Sequence, residues 1–321
     1  MSRKILALSG GVGGAKLAAG LDAVLPAGEL TIVCNTADDF EHLGLHVSPD
    51  LDSVLYALAG LNDTDRGWGR ADEGWRFMEA IGQLGGEDWF NLGDRDLATH
   101  VQRTLRLRDG ATLSQVTDEL RTALGIRSQL LPMSDDPVRT IIETKDSGDL
   151  AFQHYFVRDR CAPPVRGFRF DGAAAASCST GFRRALDDEA LEAIVVCPSN
   201  PFVSVDPILA VPGVREALRS AVAPVIAVSP IVGGQALKGP AAKMMEELGL
   251  PTSALSVAEY YGARQGGGLL DGFVLDRVDA DDLSEVEAVV PQVLVADTVM
   301  SDAAVRRSLA QDCLEFASTL R

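Results

Sequence analysis

Residues 10–14 read Gly-Gly-Val-Gly-Gly and are followed by Ala15 and Lys16, with Ser9 separating them from the apolar run Leu6-Ala7-Leu8. Four glycines in five positions let the backbone turn with positive φ and let an anion come close to the amides. The free N–H groups at the start of the following helix then favour negative charge. A phosphate suits such a loop. A dinucleotide fingerprint would need a third glycine where Lys16 stands, and a Walker A loop counted from Gly10 would need glycine at Ala15 and a hydroxyl at Leu17. Gly10, Gly11, Val12, Gly13, Gly14 and Lys16 are therefore read as a phosphate loop of a third kind. A glycine-rich turn without a ligand is the competing reading.

Carboxylates form the second chemical signal. Asp38 and Asp39 end the segment NTADD, and Asp50 and Asp52 fall in SPDLD, just before the apolar run 54–61. Four acids beside a phosphate loop suit Mg²⁺, a hard cation that takes oxygen ligands. Asp50 and Asp52 also sit where ordinary capping would put acids at a helix start. Asp38 lies 24 residues beyond Gly14. That is near the spacing at which a dinucleotide-binding acid reaches a ribose, so a nicotinamide-dependent oxidoreductase stays open.

The elements that must position these groups follow from the pattern. A strand through Leu8, a helix past Leu17 and a second buried strand over 30–34 make a βαβ unit, and hence a parallel sheet with ligands at the carboxyl ends of its strands. The strand, turn and helix order returns at 193–197 before Pro198-Ser199-Asn200-Pro201. It returns again at 223–228 before Ser229-Pro230-Ile231-Val232-Gly233-Gly234, where Lys238 to Lys243 opens a helix. Two late strands (273–276 and 292–295) and a closing amphipathic helix (301–320) complete the chain. The stretch 42–49 reads as loop. Between the halves, all three tryptophans (Trp68, Trp75, Trp89) fall in one polar, helix-forming stretch able to offer aromatic surface to a flat ligand. Segments 140–144 and 151–157 read as the strands of a hairpin, with His154 a half-buried strand residue. The expected division is a core of residues 1–62 and 186–321, with an insert of residues 63–185. The insert comprises a helical cap (63–136) and a β-hairpin region (137–185).

With 321 residues, 46% of them hydrophobic, the chain can fill a large core. Its 29 basic against 46 acidic residues, a net charge of −17, speak against a nucleic-acid or acidic-membrane partner. An anionic ligand must then be captured by local amides, placed cations or a metal. The five cysteines form no C-x-x-C pair, and no apolar run is long enough to span a bilayer, so a cytoplasmic location is expected.

Eight motifs in order, SGGVGGAK (9–16), NTADD (35–39), SPDLD (48–52), RGWG (66–69), LGDRDLATH (92–100), LPMSDD (131–136), PSNP (198–201) and SPIVG (229–233), resemble the 2-phospho-L-lactate transferases of coenzyme F-420 biosynthesis, the CofD/FbiA family. The resemblance implies an α/β fold: a Rossmann-like, mostly parallel sheet with helices on both faces and a helical insert covering the active site. It implies a homodimeric, Mg²⁺-dependent enzyme. Such an enzyme moves a phospho-acid group from a guanosine diphosphate ester of a three-carbon acid to the ribityl hydroxyl of the deazaflavin Fo, with release of GMP. On this reading Asp50, Asp52 and Arg95 are catalytic, and Asp52, Asn91, Asp94 and Thr99 contact Fo. Asp38, Asp39 and Asp50 bind metal, and Asp94, Arg95 and Asp96 at the edge of the insert add metal binding or charge neutralisation. The glycine loop with Lys16, Pro198, Ser199, Asn200, Ser229, Gly233 and Gly234 holds phosphate and guanosine. A non-catalytic nucleotide-sugar-binding regulator of the same fold is the alternative from another class.

Overall fold

The computed structural model describes residues 3–237 and 239–321. Lys238, at the head of one expected helix, lies outside the described residues. Among those residues the central sheet has seven strands: β1 (Lys4–Ser9), β2 (Leu30–Cys34), β3 (Gln129–Pro132), β4 (Leu191–Val196), β5 (Val225–Val228), β6 (Gly272–Asp276) and β7 (Val293–Ala296). Their order is 7-6-5-4-1-2-3, and every neighbouring pair is parallel. The direction of winding thus reverses between β1 and β4, which opens a crevice at the carboxyl ends of those two strands.

Burial on both faces explains why the strands read as unbroken apolar runs rather than as an alternation. Ile5, Ala7, Ile32 and Val195 face one layer of helices, formed by α1 (Gly11–Val24), α2 (Pro49–Leu58), α4 (Leu113–Ala123) and α5 (Ala303–Thr319). Leu6, Leu8, Val33 and Ile194 face the other, formed mainly by shorter helices of the second half such as Val214–Ser220 and Ala254–Tyr261. Each fully buried Leu, Ile or Val contributes about 1.5–3 kcal/mol relative to exposure, so the two layers fix the sheet before any polar contact is made. Gly20 permits the close crossing of α1 and α5, since a Cβ there would stand 2.3 Å from the Arg306 carbonyl oxygen. No described helix is long and apolar enough to cross a membrane.

Three local expectations are corrected. The strand β3, which the sequence division left inside the insert, pairs with β2 as the edge of the main sheet. At four residues, QLLP gave no alternation to separate it from a loop. The helix α4, started by a reciprocal Thr112/Gln115 capping box, is therefore the crossover into β3 and packs on the sheet. The stretch 42–49 is not all loop: Phe40–His42 and Leu45–Val47 form a tight hairpin whose turn residues Leu43 and Gly44 both have positive φ. In the second half of the insert, Arg139–Thr144 pairs with Asp149–Ala151 and Val165–Asp171, but 151–157 is not a strand. His154–Arg158 winds as a wide helical turn, because Phe152 stacks on Phe156 while Tyr155 enters the core, a spacing of three and four rather than two.

Candidate active site

A cavity of ≈ 550 Å³ occupies the crevice where β1 and β4 part. Its floor is the glycine loop after β1, its walls are the loops after β2, β4 and β5, and its roof is Trp68, Asn91 and the first turns of α3 (Asp96–Arg108), all from the insert. A doubly wound sheet places its ligand at this point.

The glycine loop is shaped by what it packs against. Gly10 precedes α1 in an extended conformation and its N–H donates to Ser199 Oγ at 3.1 Å. Gly11, with φ of +63°, donates its N–H to Asp50 Oδ1 at 2.8 Å. A Cβ on Gly13 would lie 2.3 Å from the Pro198 carbonyl oxygen, and one on Gly14 would lie 2.5 Å from Ser9 Oγ. Gly10 to Gly13 and Lys16 line the cavity, whereas Gly14 is packed behind it. Lys16 reaches across to the Met300 carbonyl oxygen at 3.1 Å. Pro198, Ser199, Asn200 and Ser229 also line the cavity, Ser229 with its hydroxyl turned to Ile231. Gly233 and Gly234 do not: they form the turn of a two-stranded hairpin, and Gly233 gives its N–H to Asp279.

Two of the three expected metal-binding acids meet in the cavity. Asp38 and Asp50 both line it and both are buried. Burial, then the charge of Asp50, pushes the Asp38 carboxyl well above the ordinary range, and Asp38 Oδ1 has no hydrogen-bond partner among the described residues. Burial raises Asp50 to about 6, although hydrogen bonds from Asn35 Nδ2 (3.0 Å) and Gly11 hold its charged form. Two buried carboxylates close enough for the charge of Asp50 to raise Asp38, with one oxygen of Asp38 unpartnered, fit a hard divalent cation such as Mg²⁺. Asp39 does not line the cavity, although its charge raises the pKa of both acids and its Oδ1, like that of Asp38, has no hydrogen-bond partner among the described residues. Its Oδ2 accepts from Ser48 Oγ at 2.8 Å and lies 3.0 Å from His46 Nε2, so it fastens the hairpin after β2 to the start of α2.

Asp52, one turn face away, is in the opposite state. Both its oxygens are taken by the buried guanidinium of Arg103, with Nη1 at 3.0 Å from Oδ2 and Nη2 on Oδ1. Burial disfavours the charge on Arg103, but Asp52 outweighs it and leaves the guanidinium above its ordinary pKa. His100 stands beside the pair, and Asp96 accepts the Tyr56 hydroxyl. Burial works against ionising Asp96, yet His100 beside it, then the Tyr56 hydroxyl and the charge of Arg103, leave its pKa lowered. Donor atoms of Asp52, Asp96 and His100 lie within 4.8 Å of one another, as a metal site would require. Arg103 already supplies the positive charge there, which makes Asp38 and Asp50 the better cation site.

Of the insert residues expected from the motifs, Asn91 lines the cavity. Asp94 does not; it accepts the Phe77 N–H at 3.1 Å and closes the insert on itself. Arg95 is 56% exposed in its side chain, lies 3.8 Å from Asp72, and is not among the lining residues, so its placement does not support a catalytic role. Thr99 is buried next to Tyr56, behind the lining. The sequence reading missed Tyr56, His100 and Arg103. Asp96, His100 and Arg103 recur at i, i+4 and i+7, one face of α3, and that spacing was the available signal.

Comparison with known proteins follows the same outline. Residues 5–311 match the family model described as 2-phospho-L-lactate transferase CofD. A phosphoenolpyruvate transferase of Streptomyces griseus is 40% identical over 324 residues, covering 99% of each chain. A 2-phospho-L-lactate transferase of Methanosarcina mazei is 41% identical over 307 residues, covering 96% of this chain and 98% of that one. A crystal structure of a UPF0052 family protein from Bacillus halodurans superposes with a TM-score of 0.62 over 98% of this chain and 99% of that chain, at 15% identity, a likeness of fold alone. With a match that runs from the first strand into the last helix, the chain belongs to the CofD family of transferases.

Proposed function

We propose that the chain transfers the phospho-acid group of lactyl- or enolpyruvyl-diphosphoguanosine to the terminal ribityl hydroxyl of the deazaflavin Fo, giving coenzyme F-420-0 or its dehydro form and GMP. One observation carries the reading: a single cavity joins the glycine loop, the repelling pair Asp38 and Asp50, and the clamped carboxylate of Asp52. The names of the relatives support the reaction class, and their near-equal identities leave both acids as candidates.

In the transfer the ribityl oxygen bonds to the acid-side phosphorus while the bond from that phosphorus to the bridging oxygen breaks, and the electron pair leaves on GMP. The demand on the protein is in-line positioning and neutralisation of charge. The amides of Val12 and Gly13, with Lys16, are assigned to the diphosphate. Asp38 and Asp50 would hold Mg²⁺, which when bound supplies positive charge to the phosphate oxygens. Asp52, held rigid by Arg103, is assigned to the ribityl hydroxyl, orienting it and accepting its proton. In a loose transition state orientation counts for more than basicity in that role. Asn91 and Trp68 on the roof are assigned to Fo, with the ring of Trp68 offering a face to the deazaflavin.

The test is incubation with Fo, Mg²⁺ and each guanylylated acid in turn, read by product mass and GMP release. A product equal to Fo plus one phospho-acid, formed only with Mg²⁺, is expected. Failure with every acid, or preferential binding of NAD(P) over guanosine nucleotides, defeats the reading. A homodimer belongs to the same reading and is checked by analytical ultracentrifugation.

A further inference from the structure

We infer that His100 is a positioning residue, the middle link of a buried chain that holds the carboxylate of Asp52 in place for the acceptor; this rests on the transfer reading above. The chain crosses two helices. From α3, Arg103 Nη1 points at once to Asp52 Oδ2 (3.0 Å) and to His100 Nδ1 (3.4 Å). A guanidinium only donates, so Nδ1 is assigned as its acceptor in preference to a proton directed at Asp52 Oδ2, 3.7 Å away, which places the ring proton on Nε2. Nε2 stands 3.3 Å from Asp96 Oδ2, an ion-pair distance rather than an aligned hydrogen bond, and is otherwise without a partner among the described residues. Asp96 Oδ1 in turn takes the hydroxyl of Tyr56, which returns the chain to α2, one turn beyond Asp52.

Three features separate this from a merely structural cluster. His100 and Arg103 are each only 1% exposed. Arg103 is absent from the cavity lining, whereas Asp52, Tyr56, Asp96 and His100 are all in it, so of the chain's members the guanidinium alone acts on the cavity only through Asp52. A buried polar network also stabilises a fold no better than apolar residues of the same volume, which leaves orientation as its contribution. The relay holds both oxygens of Asp52 from behind while the carboxylate itself lines the cavity.

Two readouts on the full chain decide the matter. In ¹⁵N-histidine NMR, His100 is expected as the tautomer protonated on Nε2. Its Nδ1 signal is expected to move in Arg103→Lys and its Nε2 signal in Tyr56→Phe. A proton on Nδ1, or a ring that ignores both substitutions, overturns the chain whether or not the protein turns over. In steady-state assays Tyr56→Phe and His100→Gln are each expected to lower kcat by about tenfold with KM for the guanylylated acid unchanged, and the double variant to be no worse than the poorer single. Additive losses, or wild-type kcat in folded single variants, overturn it. If wild-type protein makes no product from any acid, the transfer reading falls while the NMR outcome still judges the chain.

Discussion

Asp50 and Asp52 stand two residues apart in the first turn of one helix, yet they live in opposite surroundings. Asp50 faces the sheet, where burial and then the charge of Asp39 work against its ionised form despite hydrogen bonds from Asn35 and Gly11, and its pKa rises to about 6. Asp52 faces the insert, where a buried arginine grips both its oxygens. One carboxylate is left incomplete and the other is completed from within the chain. A helix turn carries successive side chains 100° apart, so two acids in one short motif can serve two different partners. Environments that push neighbouring carboxylates apart are a common way to divide roles within a site.

The largest expected effect comes from undoing the completed half. Arg103→Met leaves Asp52 buried and unpaired, and urea denaturation should show a loss of about 3–5 kcal/mol, most of it recovered in Arg103→Met with Asp52→Leu. If Arg103→Met were as stable as wild type, the two acids would not differ in the way described.

Removing charge from the incomplete half should act on turnover instead. Asp50→Asn is expected to lower kcat/KM by about 10² to 10³-fold at saturating Mg²⁺ while the protein stays folded. Near-normal kcat/KM would move the metal to the cluster of Asp52, Asp96 and His100.

Acidity gives a third and smaller contrast. Because the folded pKa of Asp50 is raised to about 6, its stabilising contribution is fully present below its unfolded value of 3.8 and is lost as pH climbs through about 6. Chelator-treated protein should therefore lose on the order of 2 kcal/mol across that window, and Asp50→Asn should lose correspondingly less. Added Mg²⁺ should restore the melting temperature at neutral pH, since a ligand bound only by the folded state stabilises it. Equal slopes in both proteins would remove Asp50 from the account.

The smallest effect is expected at Arg95, which projects to solvent beside Asp72. Arg95→Ala should keep kcat and KM within about twofold of wild type, as exposed ion pairs of this kind contribute little. A large kcat loss would return Arg95 to the catalytic set and show that the insert closes further over the cavity than described.

What the sequence determined by itself is the scaffold and the identity of its loops. Unbroken apolar runs bounded by glycine, proline and acid forced a parallel sheet covered on both faces. Local rules of backbone freedom then marked Gly10 to Gly13 and PSNP (198–201) as strand ends where a ligand can sit. The roles of the individual acids are set by the folded arrangement alone. Asp38, Asp39, Asp50 and Asp52 look alike in a string. The difference between a repelling pair, a hairpin fastener and an arginine-clamped carboxylate comes from groups 7 to 51 positions away, such as His46 and Arg103. The same holds for Arg95 and Gly233, whose motifs lie near the cavity while their side chain and amide go elsewhere. Hydrophobic period and turn chemistry are local and can be read along the chain. Burial, charge neutralisation and hydrogen-bond partnership depend on what the fold brings up from the other side, and no spacing records that.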